Sequence, residues 1–230
     1  MKIFIAARYR LHVAAVSCVL LSPFHTAQAQ DVPGYPDSVE AYDPREVAML
    51  PPYCKHTQLF QQKVPGGSDP EQISRWQTIL GYSYLNLHHY CWGLMDINRA
   101  AFFSDTPQDR KHNLGASIHE FDYVIQHAPS DFLLLPEILT KRAESLIRLD
   151  RWVEGMRDLQ RAIQIKTDYW PAYAAVSDYY KKNGEPAKAR EWLEKGLSVA
   201  PDAKALTRRL AEIDAAQSKG KNDPPPPVGR

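Results

Sequence analysis

The sequence lacks a dominant charge. Its 230 residues carry 28 Lys and Arg against 27 Asp and Glu, a formal net charge of +1. Residues 1–29 hold Lys2, Arg8 and Arg10 and no acid, so without them 25 basic residues face 27 acidic ones. A chain near −2 argues against nucleic acid or an anionic membrane as its main partner. Long apolar runs are also missing. The longest near the N-terminus, 13–21, falls well short of the roughly 20 residues that span a bilayer, so no integral membrane segment is expected in the mature chain. Catalytic signatures are absent as well: no G-x-S-x-G, no H-E-x-x-H, no P-loop and no glycine-rich dinucleotide fingerprint. Glu71, Glu120 and Glu137 are scattered acids without the spacing of a general acid/base pair. The expectation is a protein that is not an enzyme and needs no cofactor.

What is present starts with an export signal. The basic Lys2, Arg8 and Arg10 precede the apolar run 13–21, Pro23 breaks it, and Ala27-Gln28-Ala29 suits cleavage before Gln30. The periplasm of a bacterium is the expected location, with release outside the cell as the alternative. Residues 30–68 are a proline-rich arm (Pro33, Pro36, Pro44, Pro51, Pro52, Pro65) that resists a long helix, with one helical turn expected near 44–49. Ser68-Asp69-Pro70-Glu71 reads as a helix start, with a capping side chain, a first-turn proline and an acid behind it.

From 69 to 216 the pattern is all-α. Helices are separated by His88-His89, Ser104-Asp105-Thr106-Pro107, Ala128-Pro129-Ser130, Asp150-Arg151, Thr167-Asp168, Asn183-Gly184 and Ala200-Pro201. Residues 203–216, with Leu206, Leu210 and Ile213 at helical spacing, read as a capping helix with a polar outer face. Residues 217–230, with four consecutive prolines at 224–227, read as a disordered or polyproline tail.

The helical segment repeats itself. An offset of 34 residues pairs Leu139 with Tyr173, Ala143 with Ser177, Leu146 with Tyr180, Gly155 with Ala189, Leu159 with Leu193 and Ala162 with Gly196. Large residues match large and small match small, as stacked helix hairpins demand. With Tyr173, Ser177, Tyr180, Gly184, Ala189, Leu193, Gly196 and Pro201 in place, the last unit resembles the tetratricopeptide repeat family. The unit before it departs more: Arg142 stands where leucine is usual, and Thr167 replaces the closing proline. Leu80-Gly81, Tyr84, Gly93, Ile97 and Ala100 suggest an earlier unit. The long helix near 107–128 carries Phe121, Val124 and Pro129 in second-helix positions, with its own first helix missing or merged. The resemblance, which covers about 74–202, implies an α-solenoid whose first helices line a concave groove for another protein or peptide. Its groove-facing slots fall on Arg75, Thr78 and Tyr82, on Thr140, Glu144 and Arg148, and on Asp178, Lys181 and Lys182. The Lys/Asn pattern by which some members clamp a C-terminal carboxylate is not filled. The function so implied is that of a scaffold or adaptor in envelope assembly or secretion.

Two other readings stay open. Cys54 and Cys91 are the cysteines left after export, and an even pair in an oxidising compartment favours a disulfide. The rival is a metal- or redox-responsive site, a Cys2His2 set of Cys54, His56, His88 and Cys91 suited to zinc, with His89 beside it. Otherwise His88 and His89 simply fill a turn between helices. Separately, Trp76, Tyr82, Tyr84, Tyr90 and Trp92 form an aromatic-dense stretch, either core or a platform for a carbohydrate.

Overall fold

A computed structural model of the chain describes residues 43–62 and 64–222. The expected export signal 1–29, the arm residues 30–42 and the prolines 224–227 lie outside them. Among the described residues there is no strand, and no helix is long and apolar enough to cross a membrane.

The helices are α1 (Pro44–Ala48), α2 (Pro70–Leu80), α3 (Leu87–Asn98), α4 (Pro107–His127), α5 (Leu135–Arg148), α6 (Trp152–Ile165), α7 (Trp170–Lys182), α8 (Pro186–Val199) and α9 (Lys204–Asn222). Six of them carry proline in the first turn, where its missing N–H would have had no partner anyway. The expected start at Asp69 is observed: its carboxylate accepts from the N–H groups of Glu71 and Gln72. Thr106 and Asp109 close a capping box on α4.

Helices α3 and α4, α5 and α6, and α7 and α8 pack as three successive hairpins. The first helices α3, α5 and α7 lie in one row, and α9 continues that row as the cap. Leu206 and Ile213 of α9 are buried with Ala174, Ala189 and Leu193, and Leu210 packs beside them. The hairpin turns repeat too. Gly184 sits at φ +74°, and Asp150, 34 residues earlier, holds the corresponding left-handed position at φ +61°, which Asp tolerates better than most residues.

Two expectations are corrected here. His88 and His89 do not break the chain; they are buried inside α3, because a 3-10 segment at Gly81–Asn86 runs straight into that helix. The helix thought to lack a partner, α4, has one: it is α3. Gly93 marks the contact, since a Cβ there would stand 2.3 Å from the Phe121 ring. Residues 80–100 therefore do not form a hairpin of their own. Of their aromatics, Tyr84, Tyr90 and Trp92 belong to the core.

The arm, over its described part, lies against this first hairpin. It has the expected single turn, α1, then a 3-10 turn at Cys54–His56. Cys54 and Cys91 form a disulfide across 37 residues of sequence. Phe60 is fully buried near Trp92, Tyr53 meets Trp76 edge-on at 5.5 Å, and His56 Nδ1 donates to the Gly67 carbonyl at 2.8 Å. The Tyr84 hydroxyl donates to the His56 carbonyl.

Candidate functional site

Helices α5 and α7 are neighbours in the row of first helices, and their exposed stripes meet in an open cavity of about 260 Å³. Its lining comes from two runs at helical spacing: Glu144, Ile147 and Arg148 on α5, and Ala175, Asp178, Tyr179 and Lys182 on α7. The repeat makes this wall regular. Glu144 and Asp178 are 34 residues apart, as are Arg148 and Lys182, so a row of acids runs beside a row of bases.

The acids are already engaged. Lys141 lies 3.0 Å from Glu144, and Arg209 of the cap helix donates to both carboxylate oxygens of Asp178 at 3.0 to 3.3 Å. Arg148 and Lys182, in contrast, have no carboxylate within ion-pair distance among the described residues. Arg148 is partly buried, and that burial together with the nearby Arg110 guanidinium holds its pKa below the usual arginine value, only partly offset by Glu144. An anion placed here would favour the charged form of the Arg148 guanidinium. Between the rows, Ile147, Ala175 and Tyr179 supply an apolar floor, and the half-exposed Trp152 stacks on Tyr179 with ring centroids 6.1 Å apart.

Of the nine groove positions expected from the sequence, four meet in this cavity: Glu144, Arg148, Asp178 and Lys182. Lys181 instead pairs with Glu212 of the cap at 3.1 Å. Thr140 is 1% exposed and donates its hydroxyl to the Pro136 carbonyl at 2.8 Å, so it offers no groove surface. Arg75, Thr78 and Tyr82 are exposed on α2 and the segment after it, and none of them lines the cavity. Ile147, Ala175, Tyr179 and Arg209 were not among the expected positions. The first three could have been found as i+3 or i+4 neighbours of the charged residues, but nothing in the sequence aims Arg209 back at Asp178.

The cysteine and aromatic readings have clear places in the structure. Both sulfurs are taken by the disulfide, His56 is committed to Gly67, and His89 Nδ1 lies 2.7 Å from Glu120 Oε2. Among the described residues no three His, Cys, Asp or Glu side chains gather as a metal site would need. His88 is buried beside His89, and its pKa is pushed down to about 4, mainly by desolvation. Tyr84, Tyr90 and Trp92 are buried and Trp76 is half-buried, so they form core and not a platform; Tyr82 alone projects, at 77% exposure. The Tyr90 hydroxyl donates to Glu137 at 2.5 Å, and burial raises its pKa well above the usual tyrosine value.

No protein-family model matches the chain. A stretch of 104 residues is 29% identical to part of the Protein STIP1 homolog of Dictyostelium discoideum. The match takes in 45% of this chain and 18% of that protein, so the chain spans less than a fifth of that relative's length.

Proposed function

We propose that this chain is an exported scaffold of the tetratricopeptide kind that binds a segment of another protein in the cavity between α5 and α7. The observation that carries the reading is the uncompensated base row, Arg148 and Lys182, beside an apolar floor. With Glu144 and Asp178 already paired to Lys141 and Arg209, the charge left for a partner is positive. The segment that fits is acidic, with an aliphatic or aromatic side chain to cover Ile147, Ala175 and Tyr179. Helices held in place by a packed core present the wall in advance, so little ordering cost falls on the scaffold when the segment docks.

The 34-residue period, the hairpin array and the partial similarity to the STIP1 homolog support the scaffold reading. Export is supported by the basic and apolar N-terminal pattern and by a disulfide, a bond that persists in oxidising compartments. Fluorescence anisotropy with a labelled peptide of alternating Glu and Leu, against the same peptide with Lys for Glu, tests the central point. Tighter binding of the acidic peptide, roughly ten-fold and weakening with added salt, is the expected result. Equal binding of the two peptides would remove the proposal.

A further inference from the structure

A group of buried ionisable side chains lies outside the groove, where α1, α3 and α4 meet. Glu46 of α1, Asp96 of α3 and Glu120 of α4 have side chains only 8, 14 and 10% exposed. Arg99 is the guanidinium that Glu46 and Asp96 face. Its Nε and Nη2 donate to the two oxygens of Glu46 at 2.7 and 3.1 Å, and its Nη1 lies 3.5 Å from Asp96 Oδ1. His89 of α3 meets Glu120 from the other side at 2.7 Å. The neighbouring Arg45 pairs with Asp43 and lies over the Phe103 ring at 5.9 Å.

We propose that this cluster is a pH-sensitive latch: α1 stays docked while Asp96 carries a proton, and ionisation of Asp96 beside Glu46 and Glu120 releases α1. The arm remains tethered beyond that point, because Cys54 is bonded to Cys91 and Phe60 is fully buried. Among the described residues, only the stretch 43–49 swings free, since Leu50 and Tyr53 are buried in the core.

The physical case rests on placement. Arg99 is committed in two-pronged fashion to Glu46, the polar attachment of α1 to α3 beside the apolar one made by Val47 and Leu50. A negative charge on Asp96 competes for that guanidinium and repels Glu46 directly, in a space with little water to screen it. Burial pushes the Asp96 carboxyl up to about 7; Arg99 opposes the rise, while Glu120 and Glu46 add to it. Departure of α1 removes Glu46 and admits water, returning Asp96 toward its ordinary 3.8. The docked state therefore binds the proton more tightly. The contribution of Asp96 to docking is complete below that ordinary value, falls as pH rises, and levels off once pH passes about 7, while Glu46 must keep its charge throughout to hold Arg99.

Hydrogen exchange read by mass spectrometry on the full oxidised chain tests this, with exposure times corrected for base catalysis of exchange. Protection of peptides covering 44–50 should fall by up to about ten-fold per pH unit from pH 5 to 7 and then level off. Peptides from α7 and α8 should show no such trend. Asp96→Asn, nearly isosteric with the protonated acid, should keep α1 protected across the range and abolish the slope. A slope that persists in Asp96→Asn, with α7 and α8 still protected, would overturn the latch. So would a wild-type carbon-13 titration placing the Asp96 midpoint near its ordinary 3.8.

Discussion

Arg142 occupies a position where the repeat pattern asks for an apolar side chain, and its surroundings explain the exception. From α5 it reaches α6, where Nε and Nη2 donate to the Asp158 carboxylate at 2.7 and 2.6 Å, and α4, where Nη1 donates to Asp122. Asp158 is buried, so the guanidinium is its compensation. Arg142→Leu, which restores the usual residue type, should nonetheless destabilise the fold by about 3–5 kcal/mol in urea denaturation, because a carboxylate is left buried and unpaired. Adding Asp158→Leu should recover most of that loss. Protonation makes a second case at this scale. His88, with its pKa depressed to about 4, contributes stability that is complete above the ordinary 6.5 and is lost as pH falls through the depressed value. The loss amounts to at most about 3 kcal/mol. Asp96 runs the opposite way over much of the same range, so the two slopes mask each other in the wild type. Urea midpoints in Asp96→Asn should fall steadily from pH 6.5 to 4.5, and in His88→Phe they should rise.

Elements that announce themselves by period were readable in advance, and those held by long-range contacts were not. The hairpins α5–α6 and α7–α8 follow from the 34-residue offset, since each pairs large with large and small with small. The α3–α4 hairpin was hidden for a physical reason. Helix α3 has no break before it and ends in a π-helical turn at Arg99–Phe103, so its period drifts and its polar histidines read as a turn. His89 meets Glu120 of α4 and His88 is buried against His89 and Trp92, which no local pattern reveals. The arm itself depends on a covalent element. The disulfide closes a loop of 37 residues, which in the chain-entropy view stabilises by about 4 kcal/mol. Cys54→Ser with Cys91→Ser should lower the melting temperature and selectively expose the arm to protease, leaving the α7–α8 hairpin protected. Uniform loss of protection along the chain would show that the arm and the array unfold as one unit.

At the scale of the whole molecule, the chain is a row of first helices closed at one end by α9 and covered at the other by a bonded arm. The cap does more than hide Ala189 and Leu193. Through Arg209 and Glu212 it settles the charge of the last hairpin, pairing with Asp178 and Lys181. What is left facing outward between α5 and α7 is a pair of bases over an apolar floor. Four of the nine groove residues expected from the sequence meet there, because the repeat specifies which face of each helix points inward. It could not say that Thr140 turns into the core, or that α9 would reach back, since both depend on packing across hairpins. A charge exchange tests this account most directly. Arg148→Glu combined with Lys182→Glu should weaken binding of the acidic Glu/Leu peptide by at least roughly ten-fold in anisotropy titrations, and should strengthen binding of the Lys/Leu peptide above that of the wild type. Unchanged preference in the doubly reversed protein, with its helical content intact, would contradict the placement of the binding surface between α5 and α7.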